Sequence, residues 1–178
     1  MPNVPLIDRA AATGSVKEQL DQINGAFGTV PAMFAAVANS PAALSSMWGS
    51  FGAFGGGVLG PALGEQIAVA VANRNKCEYC LAAHTMLGKN AGLSADQLSS
   101  AQVGESADAK TAGLLAFALK LVDERGLTAP EDVDALRGLG WSDEEIVETV
   151  GQVALNLYTN YINNSLGIPV DFPKVALR

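Results

Sequence analysis

Four segments of this chain carry the same helix-start signature, and no segment carries the alternation of a strand. Ser15 to Glu18, Ser94 to Gln97, Thr128 to Glu131 and Ser142 to Glu145 each place a hydroxyl three residues before an acid or amide. That spacing lets the hydroxyl accept from a free first-turn N–H while the longer side chain reaches back to the cap. Pro31, Pro41 and Pro61 stand where further helices can open, because a first-turn residue needs no N–H. Apolar and polar residues nowhere alternate strictly over a strand's length, so the chain reads as all-α. About eight to nine helices are predicted, near 15–24, 31–39, 41–53, 61–74, 77–90, 95–101, 107–125, 130–138 and 143–165.

Two of these have a clear apolar stripe. Leu114, Leu115, Phe117, Ala118, Leu121 and Val122 follow helical spacing, and Gly126 can close that helix. The last helix carries Ile146, Val150, Val153, Leu157 and Tyr161 as its expected core face. It also carries Asn156, Asn160, Asn163 and Asn164, a costly choice in a helix that invites a reason. The stripe is either solvated, or it meets a second subunit or lines a functional pocket. Gly92 to Leu98 resembles Gly140 to Ile146, which reads as two similarly capped helix starts or as a duplicated helical unit. The run from Gly49 to Gly60 matches no phosphate-binding loop and is expected to be a flexible connector.

Composition sets the remaining bounds. With 178 residues and 49% apolar content, the chain can build one domain over 1–178 without a disulfide framework. An arm over about 1–14 and an extended tail over about 168–178, with Pro169 and Pro173, flank it. A net charge of -7 argues against a nucleic-acid partner. No breaker-free apolar run is long enough for a membrane span, and Met1 to Arg9 does not read as a signal peptide. The expected setting is cytoplasmic, where a close cysteine pair points to metal binding or redox chemistry.

Both cysteines and the only histidine fall in one stretch, Cys77-Glu-Tyr-Cys80-Leu-Ala-Ala-His84. If Cys77 opens a helix, Cys80 and His84 project within about 60° of it, at about 100° per residue. Tyr79 points away from that face. Cys77 lies where the helix dipole favours a thiolate, beside Lys76. Cys80 has His84 one turn away. Glu65, twelve residues before Cys77, sits on an otherwise apolar helix. A turn near Arg74 to Lys76 would fold that helix back and give its carboxylate His84 as a partner. A Glu–His–thiol chain moves a proton off sulfur and so makes a nucleophile. Two cysteines, one histidine and one glutamate also make a zinc set, but ligands at i, i+3 and i+7 of one helix converge poorly. No metal and no cofactor are expected.

The pattern Glu65, eleven residues, Cys77-x-x-Cys80, three residues, His84 resembles the active-site motif of the alkylhydroperoxidase D (AhpD)-like proteins in the carboxymuconolactone decarboxylase superfamily. Phe27 to Phe34 and Asn160 to Gly167 resemble flanking segments of its peroxidase-related branch. The resemblance implies an all-helical fold and a homo-oligomer (dimer, trimer or hexamer). It implies catalysis by Cys77, Cys80, His84 and Glu65, with a hydroperoxide substrate and an external dithiol reductant. Tyr79 stands where the prototype has a second histidine, which puts the prototype's full activity and its reductant in question.

The leading expectation is a thiol-dependent peroxidase or disulfide reductase. Cys80 is preferred as the attacking thiol because of His84, and Cys77 is expected to be the more exposed, resolving partner. The helix dipole supports the opposite assignment. The rivals are a non-enzymatic redox sensor, an oligomeric scaffold, and a lyase acting on a small cyclic acid. The lyase would need cationic anchors, and Arg74 is the only arginine near the motif.

Overall fold

The computed structural model describes residues 1–178. It contains nine α-helices and no strand: α1 (Gly14–Phe27), α2 (Ala32–Val37), α3 (Pro41–Gly55), α4 (Gly60–Arg74), α5 (Glu78–Asn90), α6 (Ala95–Gln102), α7 (Ala109–Asp123), α8 (Pro130–Gly138) and α9 (Asp143–Leu166).

Two of the four expected capping boxes form as read. Ser94 and Ser142 each accept from the N–H three residues on, while Gln97 and Glu145 accept from the cap N–H. Both helix starts follow a glycine with positive φ, Gly92 and Gly140. Each also buries an apolar pair across the cap, Leu93 with Leu98 and Trp141 with Ile146. That is the staple arrangement expected of capped starts and accounts for the likeness of the two segments. The other two signals are shifted. α1 starts at Gly14 after Thr13, whose side chain makes no cap bond. At α8 the Ala129 N–H is taken by Asp132, with Pro130 in the first turn.

The glycine-rich run is not a connector over most of its length. α3 continues through Gly49 and Gly52 to Gly55. Ser40 caps it, Pro41 opens it, and Leu44 and Met47 are fully buried beneath it. Those anchors outweigh a helix penalty of about 1 kcal/mol per glycine. Only Gly56 to Leu59 bridge to α4.

α4 is the central element. Val69 and Ala72 join one core cluster, shared with α1, α2, α3 and α5. Ile67, Ala70 and Val71 join a second, shared with α7, α8 and α9. A helix covered on all sides has no polar face, which is why Ile67 to Ala72 reads as a continuous apolar run.

α9 buries a different face from the expected one. Val150 and Tyr161 are exposed, whereas Ile146, Thr149, Val153, Asn156, Asn160 and Asn163 are buried. The buried set is spaced 3, 4, 3, 4, 3, a regular inward seam whose C-terminal half is amide rather than aliphatic. From Gly167 the chain runs extended back across the molecule. Ile168 is buried, Asp171 accepts from the Ala32 N–H at the start of α2, and the Arg178 N–H donates to Asn73.

Candidate active site

The turn from α4 into α5 builds the site. Lys76 takes a left-handed conformation, φ 54°, and the Cys77 N–H reaches back to Ala72 O at 2.9 Å. This 6→1 closure ends α4 and reverses the chain within three residues. Cys77 becomes the N-cap of α5, its sulfur accepting from the Cys80 N–H at 3.3 Å. α5 then runs back along α4. Gly88 permits the close approach: a β-carbon there would lie 3.5 Å from Glu65 Cβ and 2.6 Å from Leu98 Cδ2.

The packing joins all four motif residues. Glu65 Oε2 and His84 Nδ1 are 2.8 Å apart. Cys77 Sγ and Cys80 Sγ are 2.7 Å apart, outside disulfide bonding distance, so the pair is a dithiol. No three His, Cys, Asp or Glu side chains converge in a way that would hold a metal. Arg74 is ion-paired with Asp123, away from the thiols.

Two expectations are corrected here. Cys77 is not the more exposed thiol: it is 0% exposed, against 2% for Cys80. As N-cap it faces inward, and the core shared by α1 to α3 and the C-terminal tail closes over it. Tyr79 does not point away from the chemistry. It is buried, accepts from the Met33 N–H at 3.3 Å, and lines the same pocket as Cys80 and His84. α5 is enclosed on nearly every side from Tyr79 to His84, so turning away from the cysteines still leads inward.

The electrostatics separate the two thiols. Cys77 is pushed far above the ordinary thiol range by its S–H bond to Cys80, by burial and by the Cys80 charge. The Cys80 N–H does favour a Cys77 thiolate, but these effects outweigh it. Burial also acts to raise Cys80. Against it work the S–H bond from Cys77, the positive charge of His84 and amide contacts from Asn163 and Asn160, which together hold Cys80 down at about 7. Burial works against protonated His84, yet the charge and hydrogen bond of Glu65, with the Cys80 thiolate, raise its pKa. The favoured charge state is therefore a Cys80 thiolate beside a His84 imidazolium braced by Glu65.

Cys80 opens on a small apolar recess. Phe27, Phe34, Phe51, Tyr79 and Phe172 give it aromatic walls, with His84 and Asn163 as polar points. Cys77 does not line it. A second, more polar recess reaches the other side of the pair, where Glu65 and His84 meet Gln152 and Asn156.

The model of the carboxymuconolactone decarboxylase family matches residues 41–124. This part of the chain is similar to that family. The match runs from the start of α3 to the end of α7 and contains all four motif residues. Solved structures extend the likeness over nearly the whole chain. A peroxidase-related protein from Silicibacter sp. TM1040 shares 21% identity over 98% of this chain and 91% of its own, with a TM-score of 0.82. A peroxidase-related alkylhydroperoxidase AhpD core from Ralstonia eutropha JMP134 shares 24% identity over 96% of this chain and 92% of its own, with a TM-score of 0.82. The debrominase Bmp8 shares 16% identity over 94% of this chain and 91% of its own, with a TM-score of 0.81. These likenesses establish the AhpD-like fold. No curated protein matches the chain.

Sequence reasoning singled out the four motif residues and offered the α9 asparagines as a subunit contact or pocket lining, but missed Asn75 and Phe172. Asn75 ties into the site, its Nδ2 donating to Asn160 Oδ1 at 2.9 Å. Asn163 Nδ2 donates toward Cys80 Sγ at 3.2 Å. Phe172 reaches the pocket from the tail, edge-on to Tyr79 at 5.4 Å. The asparagine run on α9 was a visible signal for its share; Asn75 and Phe172 left none.

Proposed function

We propose that the chain is a thiol-dependent oxidoreductase that reduces hydroperoxides with its Cys77–Cys80 dithiol. The observation that carries this reading is a pair of contacting free thiols, one of which lines an apolar pocket together with the His84 of a Glu65–His84 couple. The Cys80 thiolate attacks the peroxide, and the O–O bond breaks. The departing alkoxide takes the proton held by His84 and leaves as an alcohol, while Cys80 is oxidised to a sulfenic acid. The Cys77 thiol displaces the sulfenic hydroxyl as water, forming the Cys77–Cys80 disulfide. An external dithiol returns two electrons and two protons and is itself oxidised to a disulfide. Cys77 suits the resolving role, since it stays protonated while Cys80 is the nucleophile.

A second reading has one observation in its favour. The pocket beside Cys80 is walled by aromatic rings, and Bmp8 has also been solved with 2,3,4-tribromopyrrole. The same dithiol balances a reductive debromination, in which an aryl bromide and two thiols give the arene, bromide, a proton and the disulfide. The lyase reading loses its anchor, because Arg74 is paired with Asp123. A non-enzymatic sensor would share the oxidation and lack turnover.

Mass spectrometry of the protein after a hydroperoxide, with and without a dithiol, tests the proposal. The expected product is an intramolecular Cys77–Cys80 disulfide that reverses fully, with one alcohol formed per cycle over many cycles. A thiol count unchanged by peroxide refutes it. Stoichiometric oxidation without turnover favours the sensor, and oxidation by tribromopyrrole alone favours debromination.

A further inference from the structure

The buried half of α9 presents amides to sulfur rather than to water. Asn160 is 0% exposed, and its Oδ1 is fixed by the Nδ2 of Asn75, the C-cap of α4. With its oxygen so held, its buried Nδ2 has no acceptor in hydrogen-bond geometry, and its presence favours the Cys80 thiolate. Asn163, also buried, turns Nδ2 toward Cys80 Sγ at 3.2 Å, Met33 Sδ at 3.2 Å and Thr159 O at 3.0 Å. Its Oδ1 has no partner. One buried amide, Asn163, thus spends its donor on the sulfur, and the other, Asn160, keeps a buried donor unmet. A neutral thiol is a weak acceptor and poorly compensates that burial; a thiolate is a strong one.

We propose that Asn160 and Asn163 form a two-donor cradle that holds negative charge on Cys80, with Asn75 as the residue that orients Asn160. Asn163 touches the reacting sulfur directly and Asn75 acts only through Asn160. The cradle holds the thiolate before attack and receives it again when the disulfide is reduced. Asparagine suits this place because aspartate would add a repelling charge and leucine would offer no donor. The inference rests on the reading of Cys80 as the nucleophile. The other titratable groups facing Cys80 are Cys77 at the start of α5, Tyr79, and His84, braced by Glu65 of α4. α9 faces it with amides alone.

The test reads the Cys80 ionisation itself, without peroxide. The pH midpoint of reaction with a small disulfide is measured for the wild-type protein, Asn163→Leu, Asn160→Leu and Asn75→Ala. Losing one charge-assisted donor is expected to move the midpoint up by about one unit, or about tenfold less thiolate below it. Asn75→Ala is expected to move it less and in the same direction. Should a leucine variant fail to fold, Asn75→Ala, at a half-buried turn, decides the matter: a raised midpoint supports the cradle and an unchanged one overturns it. Folded variants with the wild-type midpoint also overturn it, whether or not peroxide is turned over. A shifted midpoint in a protein that never turns over peroxide upholds the cradle and sinks the peroxidase reading instead.

Discussion

Replacing Glu65 by Gln isolates the electrostatic part of the mechanism. Gln keeps an acceptor 2.8 Å from His84 Nδ1 and removes the charge. A hydrogen bond to a charged group contributes about 1.5–3 kcal/mol, so removing the charge should lower the His84 pKa. Cys80 then loses much of the imidazolium one helical turn away. At about 6 Å and an effective dielectric of about 20, that attraction is about 3 kcal/mol. Losing half of it moves the thiol from about 7 to about 8.

Two consequences oppose each other. The thiolate fraction at pH 7 falls about fivefold, while each thiolate becomes about threefold more nucleophilic for a Brønsted slope near 0.45. The variant should react with a small aromatic disulfide about twofold more slowly at pH 7 and about threefold more slowly at pH 6. The two rates should be equal near about pH 7.6, and the variant should be more than twofold faster above about pH 9. Stopped-flow kinetics across that range reads the crossing directly. Superimposed profiles would make Glu65 purely structural. A constant loss at every pH would mean that the variant damages the pocket rather than the charge.

Gly88→Ala tests the α4–α5 approach. Its β-carbon would meet Leu98 Cδ2 at 2.6 Å and Leu93 Cδ1 at 3.3 Å, both buried residues. The overpacking cost of about 1–3 kcal/mol outweighs a helix gain of about 1 kcal/mol, so urea denaturation should show a net loss of about 1 kcal/mol. A stabilised variant would show that the contact yields freely. The expected homo-oligomer would use a different surface: Val147, Val150 and Tyr161 leave an exposed apolar strip along α9. Sedimentation equilibrium at micromolar concentration should give a homo-oligomer, and a clean 18.3 kDa monomer would contradict it.

The legible parts of the molecule were those set by local chemistry. Caps and prolines located seven of the nine helices, because a helix start is a short-range contest over free N–H groups, and the cysteine motif and an apolar stripe located α5 and α7. The turn at Lys76 and the meeting of Glu65 with His84 followed from helix geometry once Cys77 was taken as the cap. What failed needed knowledge of which faces are covered. An apolar stripe on α9 led to Val150 and Tyr161, yet the covered face was the one carrying asparagines. Their burial is made tolerable by Asn75, Cys80 and the α9 backbone, partners far away in sequence or invisible to a periodicity argument. The exposure of Cys77 failed similarly. A helix start is usually wet, and the core of α1 to α3 together with the returning tail makes this one dry.

That burial changes how the proposed cycle closes. In the oxidised protein an external thiolate attacks one sulfur and expels the other, and the thiol of lower pKa leaves faster. Cys80, held at about 7, is a far better leaving group than Cys77, whose pKa is pushed up. The chemistry therefore directs the reductant to Cys77, the sulfur that the fold hides. Val170, Phe172, Val175 and Leu177 of the tail pack on the core that contains Cys77, and Val170, Val175 and Leu177 also border Glu78. The end of the tail is held by five hydrogen bonds, two between Arg178 and Asn73, two from Arg178 to Ser99 and one from Gln102 to Ala176 O. A segment without regular structure opens at lower free energy than the helical core it covers. In the proposed cycle, peroxide would reach Cys80 through the recess, whereas reduction at Cys77 would need the tail to lift. The two half-reactions thus make different demands on the fold, and selection of the reductant falls to whatever can displace residues 168–178.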